Sequence, residues 1–447
     1  MPSSSQPAAP RDPKSDRYDV IVVGASFAGL SFASVAAARG LRTLVLERDP
    51  VVGGVVRTTG ILFSDVLDIQ EVPQRYLMNA VRRLRIRASG SDAVAEMSSE
   101  AYRFYMADVT GLLQWMAEQA EGHGAEVICG AMFQSAERDG SSGPNGPNGP
   151  NGSNGEMRVR YLAASAETQE ARTVELRARM LIGADGARSR VAQALDLDRN
   201  ERLLAGAEWL VEGAEIERDT FYLVMDAQLA PGYCVWLAPH AEIAAFGVAG
   251  RQREFKPNES LRLAQTMFDD VTDLSQMRVV ERKGGNIPVG GRLKRVYRDD
   301  ERGRALLLGD AAGLCGAATG GGIYPALISG RLAAQAVAQE LLNGSPAGIK
   351  TYLRTLPQAG RLGPYLQIED WIRFALDHMT SNADLQTLVR IMASPEGNRV
   401  VRAALLETPI IGMDKAFFAM ARGMFMQHPR LYGTAFRAAW QRLALRA

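Results

Sequence analysis

Apolar and polar positions switch between two periods over the first fifty residues. Residues 18–23 (YDVIVV) make a compact β-type apolar run, followed by Gly24-Ala25-Ser26-Phe27-Ala28-Gly29. The Ala-rich stretch LSFASVAAARG reads as a helix stopped at Gly40, where a C-terminal cap glycine belongs. Thr43-Leu44-Val45-Leu46 then predicts a second strand delivering Glu47, which completes a strand–helix–strand opening. Residues 109–124 read as a helix, with strands after it in AEVICGAMFQSAERDG. Residues 158–182 read as strands running into Gly183-Ala184-Asp185-Gly186. From 207 to 250, short apolar runs rich in aromatics and Val alternate with turn residues, the pattern of an antiparallel sheet. A long helix is predicted over 323–342, and 346–447 looks almost wholly helical. This order implies a discontinuous α/β domain with a sheet domain inserted in it.

The 447 residues suffice for two or three domain-sized units with a substantial core. A net charge of +1 creates no global field, so nucleic acid is not expected as a partner. Cys129, Cys234 and Cys315 are far apart, which suggests a reducing compartment without disulfides. The four histidines are scattered, so no metal site is expected. The start, MPSSSQPAAPRDPKSDR, reads as a disordered tail, and no apolar run is long enough to span a membrane. A cytoplasmic location, with or without membrane association, follows as the expectation. GSSGPNGPNGPNGSNGE (140–156) reads as a flexible hairpin tip.

Gly24-x-Ser26-x-x-Gly29 follows a strand and opens a helix, with an acid at the end of the next strand. Gly24 permits the tight turn, and Gly29 permits close helix–strand packing. The helix N-terminus offers amides to a pyrophosphate, and Glu47 can accept from a ribose hydroxyl. Ser26 stands where the middle glycine is usual. No second fingerprint of this quality occurs, so one tightly held dinucleotide is expected.

Residues 309–331, GDAAGLCGAATGGGIYPALISGR, repeat the strand–turn–helix theme with a different chemistry. Asp310 follows an apolar strand, where a carboxylate can accept from a polyol. Gly320-Gly321-Gly322 let backbone approach a flat ring, and the helix from Ile323 aims its dipole there. Positive potential at that point suits an anionic reduced flavin. A glycine-rich helix start needed only for packing is the plainer alternative.

Several ordered motifs carry a family resemblance: VIVVGASFAGL, LVLERD, GADGARSRV (183–191), PGYCVWLAP (231–239), GGNIPVGG (284–291) and GDAAG…TGGGIYPALISGRLAA. From about residue 18 to about 345 the chain resembles the geranylgeranyl reductase family of FAD-dependent oxidoreductases, within the p-hydroxybenzoate hydroxylase-like fold group. Gly313 and Ser329-Gly330-Arg331 favour the reductase branch. The resemblance implies a Rossmann-like FAD-binding domain in three parts (17–68, 102–195 and 284–345). A substrate domain, with an excursion at 69–101 and an antiparallel sheet at 196–283, is inserted between them. A tail (1–16) precedes them and a helical region (346–447) follows.

It further implies that Gly24, Ser26, Ala28, Gly29 and Glu47 hold the ADP half of FAD, with backbone near Phe133 at the adenine. Asp310 would meet the ribityl–pyrophosphate region, while Gly313, Gly321, Gly322 and Ile323 would serve the flavin end. Asp185 would organise the groove. Tyr233, Trp236 and Pro239 would line the substrate pocket, with Thr58, Thr59 and Tyr324 beside it; ordinary sheet packing is the alternative for the aromatic set. The family's loop cysteine is absent here, where Val55-Val56-Arg57-Thr58-Thr59-Gly60 stands instead. Arg57 would then approach the cofactor or make a surface salt bridge.

Phe417, Phe418, Met420, Met424, Phe425 and Met426 form an apolar set that reads either as a membrane-facing or substrate-lining surface or as helical packing. The activity implied is reduction of C=C bonds in an isoprenoid or similarly apolar substrate by flavin hydride, with Tyr233 as a proton donor by residue type. NAD(P)H or a ferredoxin-type protein would supply electrons. A flavin monooxygenase or epoxidase, or a non-catalytic flavin-bearing lipid-binding protein, are the competing readings.

Overall fold

The computed structural model describes residues 13–100, 104–139, 155–164, 171–251, 255–345, 347–395 and 397–399. The Phe417–Met426 apolar set, most of the N-terminal tail and most of the Gly-Pro-Asn loop lie outside these residues.

Val20 to Val23 are all buried, as a strand with both faces covered requires. Their strand, Arg17–Val23, pairs in parallel with Thr43–Leu46 on one side and Ala171–Gly183 on the other. Glu126–Ile128 and Gly303–Leu307 extend the parallel set outward, and Tyr297–Asp300 adds an antiparallel edge. Ala131–Arg138 and Met157–Ala164 form an antiparallel meander on the long Ala171–Gly183 strand.

The helices Phe27–Ala38, Val109–Gly122 and Ile323–Asn343 share one core with this sheet. Gly330 lets two of them cross closely, since a β-carbon there would lie 2.4 Å from the Ala28 carbonyl oxygen. Ser31 ties the same crossing by donating to the Leu327 carbonyl at 3.0 Å.

The second sheet has seven strands in the order Arg278–Pro288, Leu203–Glu212, Ile243–Arg251, Val235–His240, Thr220–Met225, Arg83–Ala88 and Val94–Ser98. The expected 69–101 excursion thus joins the same sheet as the later strands. The sheet is not wholly antiparallel, because Arg83–Ala88 runs parallel to Thr220–Met225. Those two strands are far apart in the chain and joined by a long crossover, not a hairpin.

The boundary expected at 283 also moves. Gly284 and Gly285 pair with Ala207 and Gly206 inside a strand that runs to Pro288. Glycine inside a strand marks a close approach, and a β-carbon at Gly285 would stand 3.1 Å from the Arg57 carbonyl oxygen. Ile61–Phe63, Phe104–Ala107 and Leu77–Val81 form a separate small sheet, with Phe104–Ala107 in the middle.

Three further helices, Gly348–Thr355, Leu362–His378 and Asn382–Ala393, follow the long one. No described helix is long and apolar enough to cross a membrane.

Candidate active site

At the first strand–helix turn Gly24 adopts φ +103°, and a β-carbon there would lie 2.4 Å from the Ala184 carbonyl oxygen. One at Gly29 would lie 2.0 Å from the Gly24 oxygen, so both positions require glycine. Ser26 is exposed and extended, which explains why it replaces a glycine without strain. It makes no side-chain cap, so the helix N-terminus faces the groove without a competing hydroxyl.

Ala28 is buried at the same crossing, against Gly309. Glu47 is held by the Ala25 amide at 2.7 Å and the Asp49 amide at 2.9 Å, which aims its carboxylate at the turn. Phe133 is buried in its strand, its carbonyl 3.5 Å from the Arg190 guanidinium. Arg57 makes an exposed ion pair with Asp49 at 3.3 Å.

Asp310 sits in the tight turn Gly309–Ala312, closed by Gly313 at φ +69°. A β-carbon on Gly313 would strike the Gly291 oxygen at 2.4 Å. Burial pushes the Asp310 carboxyl up to about 6, with no cation among the described residues set against it. Gly322 adjoins it and caps the 21-residue helix beginning at Ile323, which has no side-chain N-cap. Asp185 accepts from the Arg190 and Val191 amides at 2.7 and 3.1 Å, while its Oδ1 is buried without a hydrogen-bond partner among the described residues. An enclosed carboxylate lacking a cation, a glycine-lined cradle and two uncapped helix starts fit a ligand that brings hydroxyls, phosphates and a flat ring.

The loop between Asp310 and Gly322 is clamped from above by the helix Leu362–His378. Tyr365 donates to the Gly321 carbonyl at 2.9 Å. Glu369 accepts from the Ala318 and Thr319 amides, both at 2.8 Å, and from the Thr319 hydroxyl at 3.0 Å. Tyr233 donates to the Thr319 carbonyl at 2.5 Å from the opposite side. Sequence reasoning missed Tyr365 and Glu369. A signal was present: Leu362, Glu369, Arg373 and Leu376 form the buried stripe of that helix, and two charges on such a stripe are unusual.

The expected pocket set divides. Tyr233 and Trp236 meet edge to face with centroids 6.4 Å apart, and Thr59 lies near the same point, against Glu208. Thr58 instead accepts from the Gly60 amide at 3.2 Å. Pro239 is opposite Ala244 and shares the Val235 and Leu237 face, away from Trp236. The three-residue spacing of Tyr233, Trp236 and Pro239 would align on a helix, but a strand's period of two separates the last pair. Tyr324 is buried in the nucleotide-domain core, its hydroxyl accepting from the Arg361 amide at 3.1 Å.

A family model described as FAD binding domain matches residues 17–359. The chain belongs to this FAD-binding family. The flavoprotein is an FAD-dependent oxidoreductase.

Its curated relatives include the digeranylgeranylglycerophospholipid reductase of Methanocaldococcus jannaschii, 28% identical over 76% of this chain and 82% of the relative. The geranylgeranyl diphosphate reductase of Rhodobacter capsulatus is 26% identical over 75% of this chain and 78% of its own. A geranylgeranyl bacteriochlorophyll reductase-like protein from Thermoplasma acidophilum superposes with a TM-score of 0.74 at 21% identity. That match covers 93% of this flavoprotein and 99% of the other chain, and it shows the shared fold.

Proposed function

We propose that this flavoprotein reduces carbon–carbon double bonds of an isoprenoid chain. The observation that carries the reading is the character of the sheet face opposite the glycine-rich loop. Trp236, Ala238, Ala245, Ala249 and Ile287 pack on this face, so it is apolar and mostly small. A β-carbon at Gly320 would come within 3.4 Å of Ile287, which sets the loop and the sheet face side by side. Walls of this character suit a flat, apolar chain held away from water. The named activities of the two curated relatives point the same way.

FAD, when bound and reduced, supplies hydride. The chain's own residues do the rest. Gly320 to Gly322 would leave room for the flavin ring, and Tyr233, Tyr365 and Glu369 fix the loop that carries them. The helix from Ile323 places its positive end where negative charge accumulates. With a single dinucleotide cradle among the described residues, electrons arrive from transiently bound NAD(P)H or from a ferredoxin-type protein. The apolar substrate is drawn from a membrane surface by peripheral contact.

The test is anaerobic incubation of reduced protein with geranylgeranyl diphosphate and with a geranylgeranyl phospholipid, followed by mass spectrometry. The reading predicts stepwise gain of two hydrogens per double bond. Unchanged lipid, with an oxygenated product appearing only in air, would contradict it.

A further inference from the structure

The strand Leu203–Glu212 carries a carboxyl group on the apolar face of the substrate sheet. Glu208 is 4% exposed. Its neighbours across the sheet are Gly247 on one side and Lys283 on the other, and Gly247 in turn lies opposite Trp236. Because Gly247 has no side chain, Glu208 and Trp236 meet over it, and the indole N–H donates to Glu208 Oε2 at 3.0 Å. A β-carbon at Gly247 would lie 2.2 Å from the indole. The Thr59 hydroxyl, from the loop after the second parallel strand, lies against the same carboxyl. Glu208 Oε1 is buried with no hydrogen-bond partner among the described residues. Trp236 then contacts Tyr233, which reaches the loop at Thr319, so Glu208 stands on the wall that faces the flavin end.

The surroundings of this carboxyl favour its protonated form. Burial raises its pKa, and Glu281 on the neighbouring strand adds to the rise; Lys283, Thr59 and Trp236 oppose it. His240, on the same sheet face, is pushed down to about 4 by burial and by Lys283, with Asp108 opposing, and is therefore neutral. Tyr233 is a poorer acid. Its proton is engaged by the Thr319 carbonyl, and burial moves its pKa further up.

We propose that Glu208 is the catalytic acid that protonates the substrate double bond. Across the alkene, one carbon gains hydride from reduced FAD and the other gains the Glu208 proton as the π bond breaks. The alkene is reduced, the flavin is oxidised, and the Glu208 carboxylate recovers a proton from solvent. Thr59 and Trp236 are positioning residues that hold the carboxyl in place. This inference rests on the double-bond reduction proposed above.

The test combines infrared spectroscopy with single turnovers on the full chain. In the FAD-free and the FAD-bound protein at neutral pH, a protonated carboxyl C=O band is expected, lost in Glu208→Gln. Glu208→Gln is expected to keep FAD and to be reduced normally by dithionite, but to hydrogenate a prenyl chain at least a hundredfold more slowly. Glu208→Asp restores part of the rate. In wild type the rate falls as pH rises through the Glu208 pKa, and this dependence disappears in Glu208→Gln. Trp236→Phe, which removes a donor to the carboxylate, moves the midpoint to higher pH. An active wild type with an unimpaired Glu208→Gln, or a carboxyl spectrum that the substitution leaves unchanged, overturns the proposal alone. A wild type that hydrogenates no prenyl chain sinks the reductase reading and this proposal together.

Discussion

A β-carbon at Gly322 would stand 2.9 Å from Asp310 Oδ1, so the acid after the last parallel strand and the cap of the long helix share one narrow space. Neither residue tolerates bulk from the other. Gly322→Ala is expected to push the carboxylate out of place and cost about 1–3 kcal/mol, the usual penalty for overpacking an enclosed site. Fluorescence titration should show FAD affinity weakened by about tenfold or more, since about 1.4 kcal/mol is a factor of ten. The wild-type affinity in Gly322→Ala would contradict this placement of the cofactor.

Asp310 also makes a pH-dependent contribution to stability. Its folded pKa is raised to about 6 from the ordinary 3.8, so the folded FAD-free protein holds the proton more tightly than the unfolded chain. Below the unfolded pKa both states are protonated and the group contributes nothing. As pH rises through the folded pKa, the buried charge progressively destabilises the fold. Asp310→Asn should therefore raise the melting temperature of FAD-free protein above pH 6, with the gain vanishing near pH 4. The same substitution should weaken FAD binding, because it removes the negative charge and turns one of the two acceptor oxygens that the ligand's hydroxyls can use into a donor. Melting curves from pH 4 to 8 on FAD-free wild type and variant decide the matter.

Glu369→Ala should damage the loop more than a surface change would. It strips the shared acceptor from the Ala318 and Thr319 amides. A buried donor left unsatisfied costs about 1–3 kcal/mol, and two lose their partner here. Glu369→Gln, which keeps a carbonyl oxygen, should retain much of the stability. Thermal denaturation of both variants, alone and with FAD, gives the comparison. Equal melting temperatures for Glu369→Ala and wild type would show that the clamp does not hold the loop.

Gly247→Val should part Trp236 from Glu208, because the indole occupies the space of the new side chain. FAD content is expected to stay near the wild-type level, since Gly247 is on the substrate sheet. Tryptophan fluorescence should shift as the indole leaves its carboxyl partner. Loss of FAD together with an unchanged tryptophan spectrum would reverse the assignment of the two walls.

The candidate cofactor cradle was legible in the sequence as a local arrangement because its parts are close in the chain. Gly24, Gly29 and Glu47 are spaced by one strand–helix–strand unit, and Asp310 and Gly322 by one turn and loop. The period-two and helical patterns placed those units without tertiary knowledge. The substrate wall was not legible in the same way. Glu208 and Trp236 meet only through the register of three strands, with Gly247 between them. Tyr365 and Glu369 reach the flavin-end loop from a helix more than forty residues later in the chain. Tyr324 adjoins Gly322 in sequence, yet the helix turns it toward Arg361. Local pattern names a residue's element; the packing of distant elements decides what it faces.

The most direct test is an anaerobic single turnover with photoreduced FAD-bound protein and a geranylgeranyl lipid. Flavin absorbance and lipid mass are followed in the same sample. The account predicts that oxidised flavin returns in step with saturation of double bonds, one bond per flavin, in the absence of oxygen. Flavin that stays reduced until air is admitted, with the lipid unsaturated throughout, would contradict it.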